Sequence, residues 1–127
     1  MNEPNMADDD QSPSQQAFAV DQSRIAGAVV LSVRGDIDAL TAPHLTDAML
    51  AALPEPPSAV IVDLSDVDFL ASAGMTALVT ANERTAPGVR FLVVADGSGT
   101  SRPLKLMGLD RVLALYPTLD EAVRALS

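Results

Sequence analysis

The chain predicts an α/β fold with a sheet of four to five mostly parallel strands and helices packed mainly on one side. Three observations carry this. Short β-branched runs, Ala28 to Arg34, Val60 to Leu64 and Arg90 to Ala95, have the continuous apolar character of strands buried on both faces. Stretches rich in Ala and Leu with helical spacing separate them, and each run ends in a polar loop. Strands alternating with helices imply right-handed crossovers, so the loops Asp36 to Leu40, Ser65 to Ala71 and Asp96 to Thr100 should meet at one edge of the sheet.

Taken in order, residues 1 to 16 are polar, acidic and without periodicity, and read as a disordered tail ahead of one domain over 17 to 127. Ala17 to Ser23 alternates weakly and fits an edge strand, with Arg24 to Gly27 as the turn into Ala28 to Arg34. Thr41 is placed to cap a helix running to Leu53, with Pro43 in its first turn and Leu45, Met49 and Ala52 facing inward. Pro54, Pro56 and Pro57 stop that helix. After Val60 to Leu64 and its loop, Ser72 falls at the N-cap of a helix reaching Thr85. On a wheel of about 100° per residue, Gly74, Leu78, Ala81 and Thr85 share one side. Ser72, Thr76, Thr80 and Glu83 share the other, with Met75 and Val79 on its shoulder. Ala86-Pro87-Gly88 ends the helix. A short helix from Ser101 or Arg102 to Met107 follows the third buried strand, Gly108 closes it, and Val112 to Leu115 is the last strand. Thr118-Leu119-Asp120-Glu121 is a capping box for a terminal helix with Leu119, Ala122 and Leu126 inward.

A chain of 127 residues, 48% apolar, can bury one core. Its net charge of −9 disfavours a steered encounter with nucleic acid or an anionic membrane. Four of the 17 acids lie before residue 17, leaving 13 against 8 bases in the remainder. The absence of Cys excludes thiol nucleophiles and cysteine-ligated zinc, and fits a cytoplasmic location. No window approaches the roughly 18 apolar residues of a membrane span. His44, the single histidine, has no second His or Cys to make a metal or triad site and reads as a partly exposed structural residue.

Three constellations at the loop edge have the residue types of chemistry. Asp36, Asp38, Asp63, Asp66 and Asp68 could hold a metal or act as acid and base, but no basic residue or His joins them to complete a hydrolytic set. Gly97-Ser98-Gly99-Thr100 resembles a phosphate cradle and is a candidate nucleotide site, although it lacks the Lys of a P-loop and the third glycine of a dinucleotide fingerprint. Ser72 is not in a G-x-S-x-G elbow. What remains is a hydroxyl at the positive end of a helix, on a face with a mild apolar rim and little charge, which suits the docking of a protein.

Asp63-Leu64-Ser65 through Phe69-Leu70-Ala71-Ser72-Ala73-Gly74-Met75 resembles the signature of STAS domains, specifically the bacterial anti-sigma factor antagonists, in which a Ser in this segment is phosphorylated. Gly35-Asp36-Ile37-Asp38 is similar to the family's G-E-[IL]-D segment, and Leu106-Met107-Gly108-Leu109 with Asp120-Glu121-Ala122 resembles its closing pattern. The match covers roughly residues 17 to 126. The resemblance implies a protein without catalytic activity or cofactor that binds an anti-sigma factor, usually also a GHKL-type serine kinase, and so releases the sigma factor in a partner-switching stress response. It implies phosphorylation of Ser72, reversal by a serine phosphatase, and a partner surface of Asp36, Asp38, Ala71, Ser72, Ala73, Gly74, Met75, Thr76 and Val79. Two positions depart from the pattern: Ala71 stands where many members have Asp, and Ala73 where a small polar residue is common. A STAS module that senses a ligand or nucleotide, or that assembles a larger complex, is the competing expectation, and a metal-dependent hydrolase using the aspartates is a third.

Overall fold

The structure is a computed structural model that describes residues 17–51 and 58–126. Five strands form one sheet in the order β1 (Ala19–Ile25), β2 (Ala28–Arg34), β3 (Ala59–Asp66), β4 (Arg90–Val94) and β5 (Ala114–Tyr116). β1 pairs antiparallel with β2, and every other pairing is parallel. The first pair is a hairpin in full register from Ala19 opposite Arg34 to Ile25 opposite Ala28, which leaves two residues, Ala26 and Gly27, for the turn. Both have positive φ, +53° and +84°, the requirement of the mirror-image turn whose twist matches the strands.

Alternation along the three central strands divides the core. Val29, Leu31 and Val33 of β2, Val60, Val62 and Leu64 of β3, and Phe91 and Val93 of β4 point to one face. There they meet Leu45 and Met49 of α1 (Ala42–Ala51), Leu78 and Ala81 of α2 (Ser72–Arg84) and Leu104 of α3 (Ser101–Leu106). The residues between them, Ala28, Val30, Ala59, Ile61, Leu92 and Val94, face a smaller cluster closed by Ala122 of α4 (Leu119–Arg124) with Leu119 and Leu126 at its margin. Burial on both faces is why these strands read as unbroken apolar runs. Among the described residues, three α-helices lie on one side and one on the other.

Thr118 caps α4 by accepting the Glu121 N–H at 3.1 Å, as the capping box predicts. The last strand lies two residues later than expected. Gly108 takes a left-handed φ of +74°, a 3-10 turn follows over Leu109–Arg111, and the Leu113 N–H donates to Leu109 O at 2.7 Å. Leu113 is thereby turned into the main core and Val112 is left half exposed, so pairing with β4 begins only at Ala114. Ala52, Leu53 and the prolines at 54, 56 and 57 lie outside the described residues, as does the tail before residue 17. His44 is exposed on α1, its ring 6.2 Å from that of Phe18.

Candidate functional site

The chain leaves β2 through Gly35, whose φ of +87° and close approach to the Phe18 backbone suit glycine alone. It then runs beside the loop that follows β3. The Ile37 N–H donates to Phe69 O at 2.9 Å and the Ala71 N–H donates to Ile37 O at 2.8 Å, an isolated parallel bridge between Ile37 and Leu70. Both side chains are buried, so the clasp is closed by apolar packing as well as by hydrogen bonds. The Leu70 N–H in turn donates to Gly99 O at 3.0 Å. The three loops therefore meet at one edge of the sheet, as their places after β2, β3 and β4 require.

Thr41 precedes the first residue of α1 and its carbonyl accepts the His44 and Leu45 N–H groups at 3.0 and 3.2 Å, but the side chain that caps the turn leading into the helix is that of Asp38. Its Oδ1 accepts the N–H groups of Leu40 and Thr41 at 2.9 and 3.1 Å, its own N–H donates to Thr41 Oγ1 at 2.9 Å, and its carbonyl accepts the Ala42 N–H at 2.8 Å. This is a reciprocal capping box with Thr as its third member, one turn earlier than Thr41 suggested. Thr41 also donates its hydroxyl to Asp36 O at 2.9 Å, which fixes the exposed Asp36 beside Ile37. The N–H donated by Thr41 holds the Asp38 carboxyl below its ordinary value of 3.8, with the Leu40 N–H adding to the effect and partial desolvation opposing it. A carboxyl lowered on folding contributes stability that is complete above its unfolded pKa and disappears as pH falls through the folded value. Asn keeps the Oδ1 acceptor without the charge. The melting temperatures of wild type and Asp38→Asn are therefore expected to converge as pH is lowered from about 5 to 2. A gap independent of pH in thermal melts would contradict this.

Ser72 is not the cap of α2. Ala71 holds that position, with φ −80° and ψ 169°, because its N–H is the last rung of the bridge to Ile37. The Gly74 and Met75 N–H groups donate to Ala71 O at 2.9 and 3.1 Å. Ser72 enters as the first helical residue, exposed, and its hydroxyl makes no hydrogen bond among the described residues. The N–H groups of Ser72 and Ala73 likewise have no protein acceptor there, since Ala71 offers no side-chain oxygen and the first turn carries no acid. The result is a positive helix end with free donors under a free hydroxyl.

Gly74 is buried and cannot form part of an exposed surface. A Cβ there would stand 2.5 Å from both Ile37 Cγ2 and Leu70 Cδ1, so its role is to let the first turn of α2 lie against the clasp. Ala77 is buried with it, an inward position that the wheel reading left out. Thr76 is exposed, whereas Ala71, Ala73, Met75 and Val79 are partly covered, the last three by packing against the main core. Met75 and Val79 also form one wall of a shallow groove of about 250 Å3 beside Ser72, with Thr76 and Thr80; Met107 and Leu109 form the other.

Four exposed apolar residues near this region escaped the sequence reading. Leu40, 83% exposed, follows Asp38, and Phe69, 53% exposed, sits on the clasp three residues before Ser72. Leu106 and Met107 stand out at the end of α3. Their signal was an apolar residue in a loop or on a short helix with no periodic partner. That pattern shows exposure only once the bridge of Ile37 and Leu70 has taken the inward places.

The acidic residues do not converge. Asp63 Oδ1 accepts both the N–H and the hydroxyl of Ser65, while Asp66 and Asp68 are exposed, and no group of three His, Cys, Asp or Glu able to hold a metal occurs among the described residues. In the loop Gly97-Ser98-Gly99-Thr100, the Gly97 N–H donates to Ser101 Oγ at 3.1 Å, and the Thr100 and Arg102 N–H groups both donate to Gly97 O at 3.2 Å. Gly99 has a packing role: a Cβ there would overlap the Asp68 carbonyl oxygen.

A model of the STAS domain family matches residues 19–122, nearly the whole described chain. The chain belongs to the STAS domain family. This STAS domain is 43% identical over 97 residues to the anti-sigma-F factor antagonist RsfB of Mycobacterium tuberculosis, a match that spans 76% of the chain and 80% of RsfB. It is similar to the crystal structure of an anti-sigma factor antagonist from Mycobacterium paratuberculosis, with a TM-score of 0.84 and 40% identity over 91% of this chain and 97% of the other. The fold is shared further afield with a protein from Thermotoga maritima, at a TM-score of 0.77 and 21% identity over 84% and 93% of the two chains. The mostly parallel sheet of four to five strands expected from the sequence is thus, with five strands, the STAS architecture. No described helix is long and apolar enough to cross a membrane.

Proposed function

We propose that this STAS domain is an anti-sigma factor antagonist, without catalytic activity of its own, that binds an anti-sigma factor of the GHKL serine-kinase type and is switched off by phosphorylation of Ser72. The observation that carries the reading is the state of Ser72: an exposed hydroxyl without an internal hydrogen bond, at the tip of α2, between the exposed Phe69 and the groove walled by Met75, Val79 and Met107. The names of RsfB and of the M. paratuberculosis protein support the same assignment.

The physical sequence is short. In the unmodified state the partner covers the Ser72 tip and the apolar side chains around it, and the sigma factor it held is released. A kinase adds a phosphoryl group to Ser72 Oγ, which brings about −1.5 to −2 charges. The unpaired Ser72 and Ala73 N–H groups accept that charge without refolding of the helix. The switch therefore acts on the partner, by clash and by a charge buried without its own counter-ion. Hydrolysis by a serine phosphatase restores binding.

Phe69, half exposed three residues before Ser72, anchors the complex. Phe69→Ala is expected to weaken binding of the anti-sigma factor about tenfold or more, in a calorimetric titration, while the melting temperature changes little because the ring is half exposed. Unchanged affinity would remove the clasp loop from the interface.

A further inference from the structure

We propose that a second site, separate from the Ser72 surface, binds a small organic ammonium compound at the carboxyl ends of β3, β4 and β5. A cavity of about 230 Å3 opens there, with Leu64 and Ser65 from the end of β3, Val67 beyond it, Asp96 and Gly97 after β4, and Pro117 after β5. Thr100 lines it as well and is only 2% exposed, the one buried polar residue among those described. Its Oγ1 makes no hydrogen bond with any described residue, although its backbone N–H and carbonyl are both paired. A hydroxyl buried without a partner is destabilising unless something else bonds to it.

The direction of that hydroxyl is given by Gly97. A Cβ built on Gly97 would have Thr100 Oγ1 as its nearest neighbour, at 3.7 Å, so the hydroxyl looks into the space that the missing side chain leaves open. Gly97 has no positive φ and its Cβ would meet no clash, so neither turn geometry nor packing demands a glycine at this position. What the glycine provides is volume over the Thr100 hydroxyl.

The lining sets the class of ligand. Asp96 is exposed at the mouth, the Ser65 hydroxyl already serves Asp63, and no Lys, Arg or His lines the cavity. Three N–H groups of the loop are already used, that of Gly97 on Ser101 Oγ and those of Thr100 and Arg102 on Gly97 O. An anion meets the Asp96 carboxylate with no cation in the lining to offset it, whereas an ammonium group meets both the carboxylate and the hydroxyl oxygen. Leu64, Val67 and Pro117 offer apolar contact to a compact carbon body. The volume corresponds to about eight waters at ~30 Å3 each, which suits a molecule of piperidine or ethanolamine size.

The test is an amide-shift titration of the intact chain by nuclear magnetic resonance with piperidinium, ethanolammonium and, as an anion control, inorganic phosphate. Saturable shifts at Val67, Gly97 and Thr100 are expected with the two amines and not with phosphate. Gly97→Ala, which fills the space, and Thr100→Val, which removes the hydroxyl, should each weaken amine binding about tenfold. Because the hydroxyl has no protein partner, Thr100→Val should leave the melting temperature of the ligand-free chain unchanged or raised. The proposal is overturned by shifts that do not saturate, by phosphate binding equally well, by variants that bind amines like the wild type, or by a lowered melting temperature in Thr100→Val.

Discussion

Ser72→Glu is expected to abolish binding of the anti-sigma factor while the fold stays intact. A carboxylate at this position sits at the first residue of α2, in reach of the free Ser72 and Ala73 N–H groups, so within the isolated protein it is neutral or favourable. In the complex the same charge is enclosed by a surface shaped for a hydroxyl. A penalty of about 3 to 4 kcal/mol for an unpaired charge in an interface corresponds to more than 100-fold in affinity. Thermal unfolding should move by no more than a few degrees, as for an exposed substitution. The pair of readouts separates interface from fold: loss of both binding and stability would mean that Ser72 is structural.

Gly99→Ala should do the reverse and strike the fold first. Its added methyl would overlap the carbonyl oxygen of Asp68, a backbone atom that no rotamer change can move aside. Relief requires parting the loop after β4 from the loop after β3, which breaks the hydrogen bond from Leu70 N–H to Gly99 O and loosens the clasp on Ile37. The cost is about 3 kcal/mol, at the upper end for overpacking, and the melting temperature should fall by on the order of 10 °C or more. Gly97→Ala, two residues away with an open Cβ direction, is the matched control and should melt like the wild type. Equal melting temperatures for all three proteins would show that the two loops are not in the contact described.

The buried strands were legible because burial on both faces writes itself into sequence as Val29 to Val33, Val60 to Leu64 and Phe91 to Val94, with little polar interruption. The meeting of three loops followed from parallel topology alone. The two caps were not legible in detail. Thr41 and Ser72 both have the residue type of an N-cap, but capping depends on the backbone that precedes it. At α1, Asp38 reaches the free N–H groups one turn earlier. At α2, the bridge to Ile37 holds Ala71 extended, so Ser72 is already helical. Both displacements come from the pairing of Ile37 with Leu70, a contact between segments far apart in the chain that local patterns do not encode. The same pairing decides that Phe69 points outward, and so explains why an aromatic at the centre of the proposed interface was read only as part of a motif. Gly74 was placed in the surface by motif and under it by packing, for a Cβ there has nowhere to go.

The most direct test of the proposed switch is to incubate the intact protein with a candidate GHKL-type kinase partner and ATP, map the product by mass spectrometry, and titrate it with the same partner. The account predicts a single phosphoryl group on Ser72 and an affinity reduced by more than about 100-fold relative to the unmodified protein. A phosphoryl group on Thr76 or Thr80 in place of Ser72, or a Ser72-phosphorylated protein that still binds with full affinity, would contradict it.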